Sequence, residues 1–348
     1  MRTIAETRAR RGSVIIIALI TILFTAAALT LFIDRAATEI IVQGRQVRTE
    51  ELRVQAHSAM QTALAVISEF ASLDGALHDP AQGWGDPLSL AGWDPELDGR
   101  VRVTFLDESS RFPLNVATRQ PLVEYFRLLG IEERDAERLA DNLLEWRGAI
   151  QPGSNPFAAS EFDYARQPIP YRETGQRLRT FSELLLIRGF AEQFTDSAGI
   201  PNSRFQRIRD TATLEDVSQI NLNTADELVL RAWLGLSDVQ AARLRDERTR
   251  TRFPGEPAFL KTGEDITRVL GTTSFQQPGG TTIQILRVTV AVQDGSGEFP
   301  ITAVVRTNAV TQGQDSGGAQ RPRTGGNRTR NIPGTNFQLI QLMEGSGD

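Results

Sequence analysis

Cysteine is absent from these 348 residues, and lysine occurs once, at Lys261. The first absence excludes disulfides, a thiol nucleophile and thiolate metal sites. The second leaves arginine to supply nearly all of the 38 basic side chains, and with a formal net charge of −5 there is no lysine-rich surface for nucleic acid. Histidine is almost as scarce. His57 falls in a stretch read below as helix and His78 in a loop, and neither stands in the setting of a catalytic triad or a metal pair. There is no phosphate loop ending in Gly-Lys-Ser/Thr and no Gly-x-Ser-x-Gly elbow, so an enzyme is not expected and no cofactor is required.

Charge is missing in a second way, as a long uncharged run from Gly12 to Ile33. About 22 residues of helix at about 1.5 Å each make about 33 Å, enough to cross a hydrocarbon core. Arg2, Arg8, Arg10 and Arg11 precede the run against Glu6 alone, which predicts a cytoplasmic N-terminus and an outward remainder. Ala26, Ala27 and Ala28 offer a mimic of a secretory cut site, but apolar residues continue past them to Ile33. The basic leader instead stops at Gly12, directly before the apolar run. That arrangement resembles the type IV prepilin signal, which implies cleavage by a prepilin peptidase between Gly12 and Ser13 and retention of the helix as a single-pass anchor. An uncut anchor is the plain alternative.

From Asp34 to Phe70 there is no proline, and Ala56, Ala59, Met60, Ala63, Leu64, Ile67 and Phe70 recur at three- and four-residue spacing, predicting a stalk helix with one buried stripe and a permitted bend at Gly44. The turn-rich stretch from Asp74 to Gly99 reads as a loop pinned by Trp84 and Trp93. Alternating strand patterns appear at Val101–Asp107 and return only near Thr282, Glu298 and Thr335. Between the last two lies a glycine- and arginine-rich stretch, 311–334, that reads as a flexible loop. The expected fold class is α+β: a long transmembrane and stalk helix on an antiparallel sheet, with a large helical insertion. The expected boundaries are a leader at 1–12, a span at 13–33, a stalk at 34–73, sheet regions at 74–112 and 272–348, and the insertion at 113–271.

Within the insertion, Gly130, Ala136 and Leu139 are echoed at the same internal spacing by Gly235, Ala241 and Leu244. Asn223 or Thr224 is expected to cap a helix that Gly235 ends, and Ser237 to cap the next. The pattern looks like a helix-hairpin-helix repeat. Its DNA-binding form uses a Gly-apolar-Gly turn, whereas the turns here are Gly130-Ile131-Glu132 and Gly235-Leu236-Ser237, and acids outnumber arginines seven to five in both segments. Nucleic acid is therefore a disfavoured partner.

The chain as a whole resembles one family, the minor pseudopilin K of type II secretion. The motifs that carry the resemblance are the leader, Phe112 to Asn115 within "DESSRFPLN", Pro170-Tyr171, Phe181-Ser182-Glu183-Leu184 running to Gly189-Phe190, and Asn221 to Ala225 within "INLNTADELVL". Ser13 after the cut and Ile17 at the fifth mature position depart from major pilins, which carry glutamate at that fifth site; K subunits characteristically lack the acid. The resemblance implies a non-enzymatic subunit of the bacterial inner membrane with a periplasmic C-terminal domain, joining the I and J minor pseudopilins at the tip of a pseudopilus that exports proteins. It also implies a structural calcium site in an acidic loop, of which Glu161 and Asp163 are the carboxylates here. The alternative is a tip-type minor pilin of a type IV pilus or DNA-uptake system whose hairpins contact DNA.

Overall fold

The computed structural model describes residues 3–93, 100–150, 164–166, 170–250, 259–295, 297–307, 330–332 and 334–345. Helix α1, Thr3–Asp74, runs through Gly44 without leaving helical geometry. Its section from Ile15 to Ile33 is exposed and is the one described stretch long and apolar enough to cross a membrane. Beyond Leu52 the same helix changes character: Ala56, Ala59, Met60, Ala63, Leu64 and Ile67 are all buried, and Phe70 packs at the margin. Alanines bring the helix axis close to the sheet, and each of the larger side chains contributes about 1.5–3 kcal/mol by leaving water.

A short helix α2, Pro87–Leu90, follows, with Asp86 as its cap and proline in its first turn. Trp84 is fully buried and meets Phe105 edge-on, while Trp93 packs against the same core. Strand β1, Arg100–Asp107, then leads into the insertion. The insertion comprises β2, Phe112–Pro113; α3, Arg119–Leu128; α4, Glu133–Trp146; α5, Phe190–Phe194; α6, Ser203–Thr211; β3, Ala212–Thr213; β4, Ile220–Asn221; α7, Glu227–Leu234; α8, Asp238–Thr249; α9, Gly263–Leu270; and β5, Gly279–Gly280. The chain returns to the sheet with β6, Ile285–Asp294; β7, Gly297–Arg306; β8, Arg330–Asn331; and β9, Gln338–Glu344.

The five-stranded sheet has the order β1-β6-β7-β9-β8, antiparallel throughout. Val103 faces Val290, which in turn faces Ile301, so alternate residues of three strands form one apolar surface under α1. Strands β1 and β6 are neighbours although the whole insertion separates them in sequence. The molecule thus holds two hydrophobic cores. One lies between α1 and the sheet, and the other lies inside the insertion, where Phe112, Tyr125, Phe126, Phe190 and Phe194 form a chain of ring contacts. The α+β class, the long apolar helix and the antiparallel sheet expected from the sequence are all present. The stretch 311–334 lies outside the described residues apart from 330–332 and Gly334.

Candidate functional site

The insertion is built twice on one plan. In the first half, Leu114 donates its N–H to the Thr213 carbonyl, alongside the parallel pair β2 and β3. In the second, Leu222 does the same to Gly280, alongside β4 and β5. The residue after each leucine is a buried asparagine. Asn115 accepts from Leu178 N at 2.8 Å and donates to Leu178 O at 3.0 Å and Leu214 O at 2.8 Å. Asn223 accepts from Leu260 N at 2.7 Å and donates to Leu260 O at 3.0 Å and Thr281 O at 2.9 Å. Each amide therefore acts as a clasp, satisfying three backbone groups that helices and sheets leave over.

The correspondence continues outward. Two residues past each clasped leucine, Thr180 and Thr262 open capping boxes closed by Glu183 and Asp265. Arg147, just beyond α4, donates to the carbonyls of Leu114 and Ala117, and Arg248, near the end of α8, donates to those of Leu222 and Ala225. Burial brings both guanidinium groups down to about 10, which still leaves them charged at neutral pH.

The second clasp is wired to the sheet. Asp107, at the end of β1, accepts from Asn221 Nδ2 at 2.8 Å, Thr224 Oγ1 at 2.6 Å and Ser109 N at 2.8 Å. Burial raises this carboxyl to about 6, against the opposing pull of those hydrogen bonds. Asn221 also donates to His78 O, and His78 Nδ1 lies 2.7 Å from the Thr281 carbonyl that Asn223 holds. Ser109 Oγ accepts from the backbone of Gln284 and Ile285, at the start of β6. Two motifs remote in sequence, Asp107–Ser110 and Asn221–Ala225, thus meet in one buried polar knot between insertion and sheet.

The sequence expectations fare unevenly. Gly235 ends α7 in the left-handed region at φ 73°, and Ser237 caps α8 with Gln240 completing the box, both as expected. The expected cap of α7 requires correction. Asp226 caps it, accepting from Leu228 N, because the Asn223 amide is committed to Leu260 and the Thr224 hydroxyl to Asp107. Gly12 and Ser13 lie within the helical run of α1. Glu161 and Asp163 lie outside the described residues. Among the described residues no group of three potential metal ligands occurs. His57 is 2.9 Å from Glu344 at the rim of the sheet, and His78 belongs to the knot. Sequence reasoning misses the clasps, although the doubled Leu-Asn-x-Ala at Leu114–Ala117 and Leu222–Ala225 is a visible signal.

A cleft of about 650 Å³ between α3, α6 and α7 contains Arg204, Arg207 and Arg231. Their charge is largely spent inside the chain. Arg207 reaches both oxygens of Asp226 at 2.9 Å, Arg231 pairs with Asp238 at 3.0 Å, and Arg204 donates to the Gly130 carbonyl at 3.2 Å.

Residues 105–198, which contain Asp107 and the Asn115–Leu178 contacts of the first clasp, match the family described as type II secretion system protein K. A relative from Pseudomonas aeruginosa, "Type II secretion system protein K", is 26% identical over 288 residues, taking in 75% of this chain and 82% of the relative. Both comparisons make the chain similar to type II secretion system protein K. A chain of the solved GspK-GspI-GspJ complex from enterotoxigenic Escherichia coli has the same fold, with a TM-score of 0.52, 16% identity, and coverage of 87% of this chain and 100% of that one. The motif resemblance read from the sequence is therefore sustained. In this chain the knot is the place where the insertion is joined to the sheet.

Proposed function

We propose that this K-family chain is a minor pseudopilin at the tip of the type II secretion pseudopilus, a non-enzymatic assembly subunit for protein export. The observation that carries the reading is the protein K match over residues 105–198, from the end of β1 through Asn115 and Leu178, in a chain whose apolar helix continues onto the sheet. Leader cleavage between Gly12 and Ser13 leaves Ser13 as the new terminus and Ile17 where an acid is missing. A subunit without that acid has no carboxylate to offer a neighbouring terminal amine in the low-dielectric bundle, which suits the top of a fibre. In this reading the span lies in the bacterial inner membrane with its N-terminus cytoplasmic, and the sheet and insertion are periplasmic.

The partners in this proposal are the I and J minor pseudopilins, by analogy with the Escherichia coli GspK-GspI-GspJ complex, and the prepilin peptidase. The paired helices α3–α4 and α7–α8 are read as two helix-hairpin-helix units used for protein architecture. On these helices Arg119, Arg231 and Arg245 pair with Asp141, Asp238 and Glu227, which argues against phosphate contact. Co-expression of the full-length chain with the I and J subunits of its own organism tests the reading. The expected result is a detergent-extracted ternary complex and a loss of export when the chain is deleted. Elution of the chain alone, with export intact after its deletion, contradicts it.

A further inference from the structure

The cleft between α3, α6 and α7 holds one cation that the chain does not neutralise. Both acids in its wall are committed: Asp226 caps α7 and takes Arg207, and Glu227 takes Arg245 at 2.9 Å. Arg231 is paired in turn with Asp238. Arg204, exposed in the first turn of α6, differs. Among the described residues no carboxylate pairs with it, and its guanidinium contacts two neutral oxygens, the Gly130 carbonyl at 3.2 Å and Gln193 Oε1 at 3.5 Å. Those contacts hold the group in place and leave its charge and its other donors to the cleft.

The duplicated plan of the insertion shows that the turn itself does not need this charge. Gly130 stands past the end of α3 as Gly235 does past α7, both in the left-handed region, at φ 82° and 73°. Over Gly235 lies the neutral amide of Gln276, which a Cβ there would meet at 2.5 Å, and Gln276 N donates to the Leu234 carbonyl. The first copy thus sets a cation where the second is served by an amide. Around Arg204 the cleft is lined by Ser203 and by the half-buried side chains of Leu128 and Leu228. Its volume of about 650 Å³ lies in the range of ligand-binding clefts.

We infer that this cleft seats an extended segment of another polypeptide, with one aspartate or glutamate against Arg204 and an adjacent apolar side chain on Leu128 and Leu228. One uncompensated cation selects one carboxylate. A nucleic acid repeats its charge at every nucleotide and would meet Asp226 and Glu227 as well. The leucines add contact that a small free acid leaves unused. This inference goes beyond the assembly reading and does not depend on it, because the binding belongs to the chain alone.

The test follows the fluorescence anisotropy of a fluorescein-labelled peptide, Ser-Leu-Glu-Leu-Ser with both ends blocked, against the full-length chain in detergent micelles. The same peptide with glutamine in place of glutamate is the control. The expected result is saturable one-to-one binding, at least about tenfold weaker for the glutamine peptide. Arg204→Gln should bring the glutamate peptide down to the glutamine level, and Arg204→Lys should keep part of the difference, with the melting curve of the chain in place for both. Leu228→Ser should weaken the two peptides alike. Absence of saturable binding, equal binding of the two peptides, or a preference for glutamate that survives Arg204→Gln overturns the inference. Displacement of the peptide by an equal concentration of free glutamate, or by a short DNA duplex, overturns it in favour of a small acid or of nucleic acid. A dimer in sedimentation that the peptide dissolves assigns the cleft to a second copy and overturns it too. Co-purification with the I and J subunits is measured separately, so failure here leaves the assembly reading standing.

Discussion

The two halves of the insertion use the same amide for the same three backbone contacts, but they differ in what lies one residue before the leucine. Before Leu114 stands Pro113, which has no polar side chain; before Leu222 stands Asn221, which reaches Asp107 and His78. The first clasp therefore closes only its own loop, whereas the second also fastens the insertion to β1 and to the loop after α1. A duplicated unit has in effect been divided into an outer copy that packs and an inner copy that attaches. The lesson concerns energetics. Identical local geometry carries different weight according to whether its neighbours belong to one core or to both.

Alanine at the two asparagines breaks that comparison most sharply. Asn223→Ala strands Leu260 N and Leu260 O and removes one of two donors to Thr281 O, and at roughly 1–3 kcal/mol per buried unsatisfied group the expected loss is about 4 kcal/mol. Hydrogen exchange should show faster opening in 220–280 and also in 74–107. Asn115→Ala strands Leu178 N, Leu178 O and Leu214 O and should cost about the same, roughly 4 kcal/mol, with opening confined to 112–214. Equal spread of opening in both variants would erase the distinction between attaching and packing copies.

The inner copy is wired to a carboxyl that burial raises, which lets pH probe it. Asp107 rises from 3.8 to about 6 in the folded chain, mainly through burial. The folded state therefore binds more protons than the unfolded state between about pH 4 and pH 6, and stability falls as pH rises through that window, by at most about 3 kcal/mol. Asp107→Asn should flatten this slope in denaturant titrations whatever it does to stability at neutral pH. An unchanged slope would mean that the three hydrogen bonds hold the carboxyl ionised throughout. The smallest effect is expected from calcium chelation: with Glu161 and Asp163 alone in the acidic loop, the melting transition should be the same with and without EGTA.

Much of the fold is legible from periodicity. The stripe from Ala56 to Phe70 and the alternation in β1, β6 and β7 both mark surfaces buried on one side, and burial on one side is what a local pattern records. The knot is less legible, because it depends on which backbone groups are left over after distant segments meet. Asn223 illustrates the limit. Asparagine before a helix is an ordinary cap by local preference, yet the backbone of Leu260, 37 residues away, takes its amide and leaves Asp226 to cap α7. Asp107 stands within a family motif, but its partners Asn221 and Thr224 are brought to it only by the return of the chain through the insertion.

The functional reading turns on whether α1 begins as a processed pseudopilin helix. The most direct measurement is the N-terminal sequence and intact mass of the membrane-extracted protein from cells with and without their prepilin peptidase. A processed subunit begins at Ser13 when the peptidase is present and at Met1 when it is absent. A chain beginning at Met1 in both would contradict the pseudopilin reading.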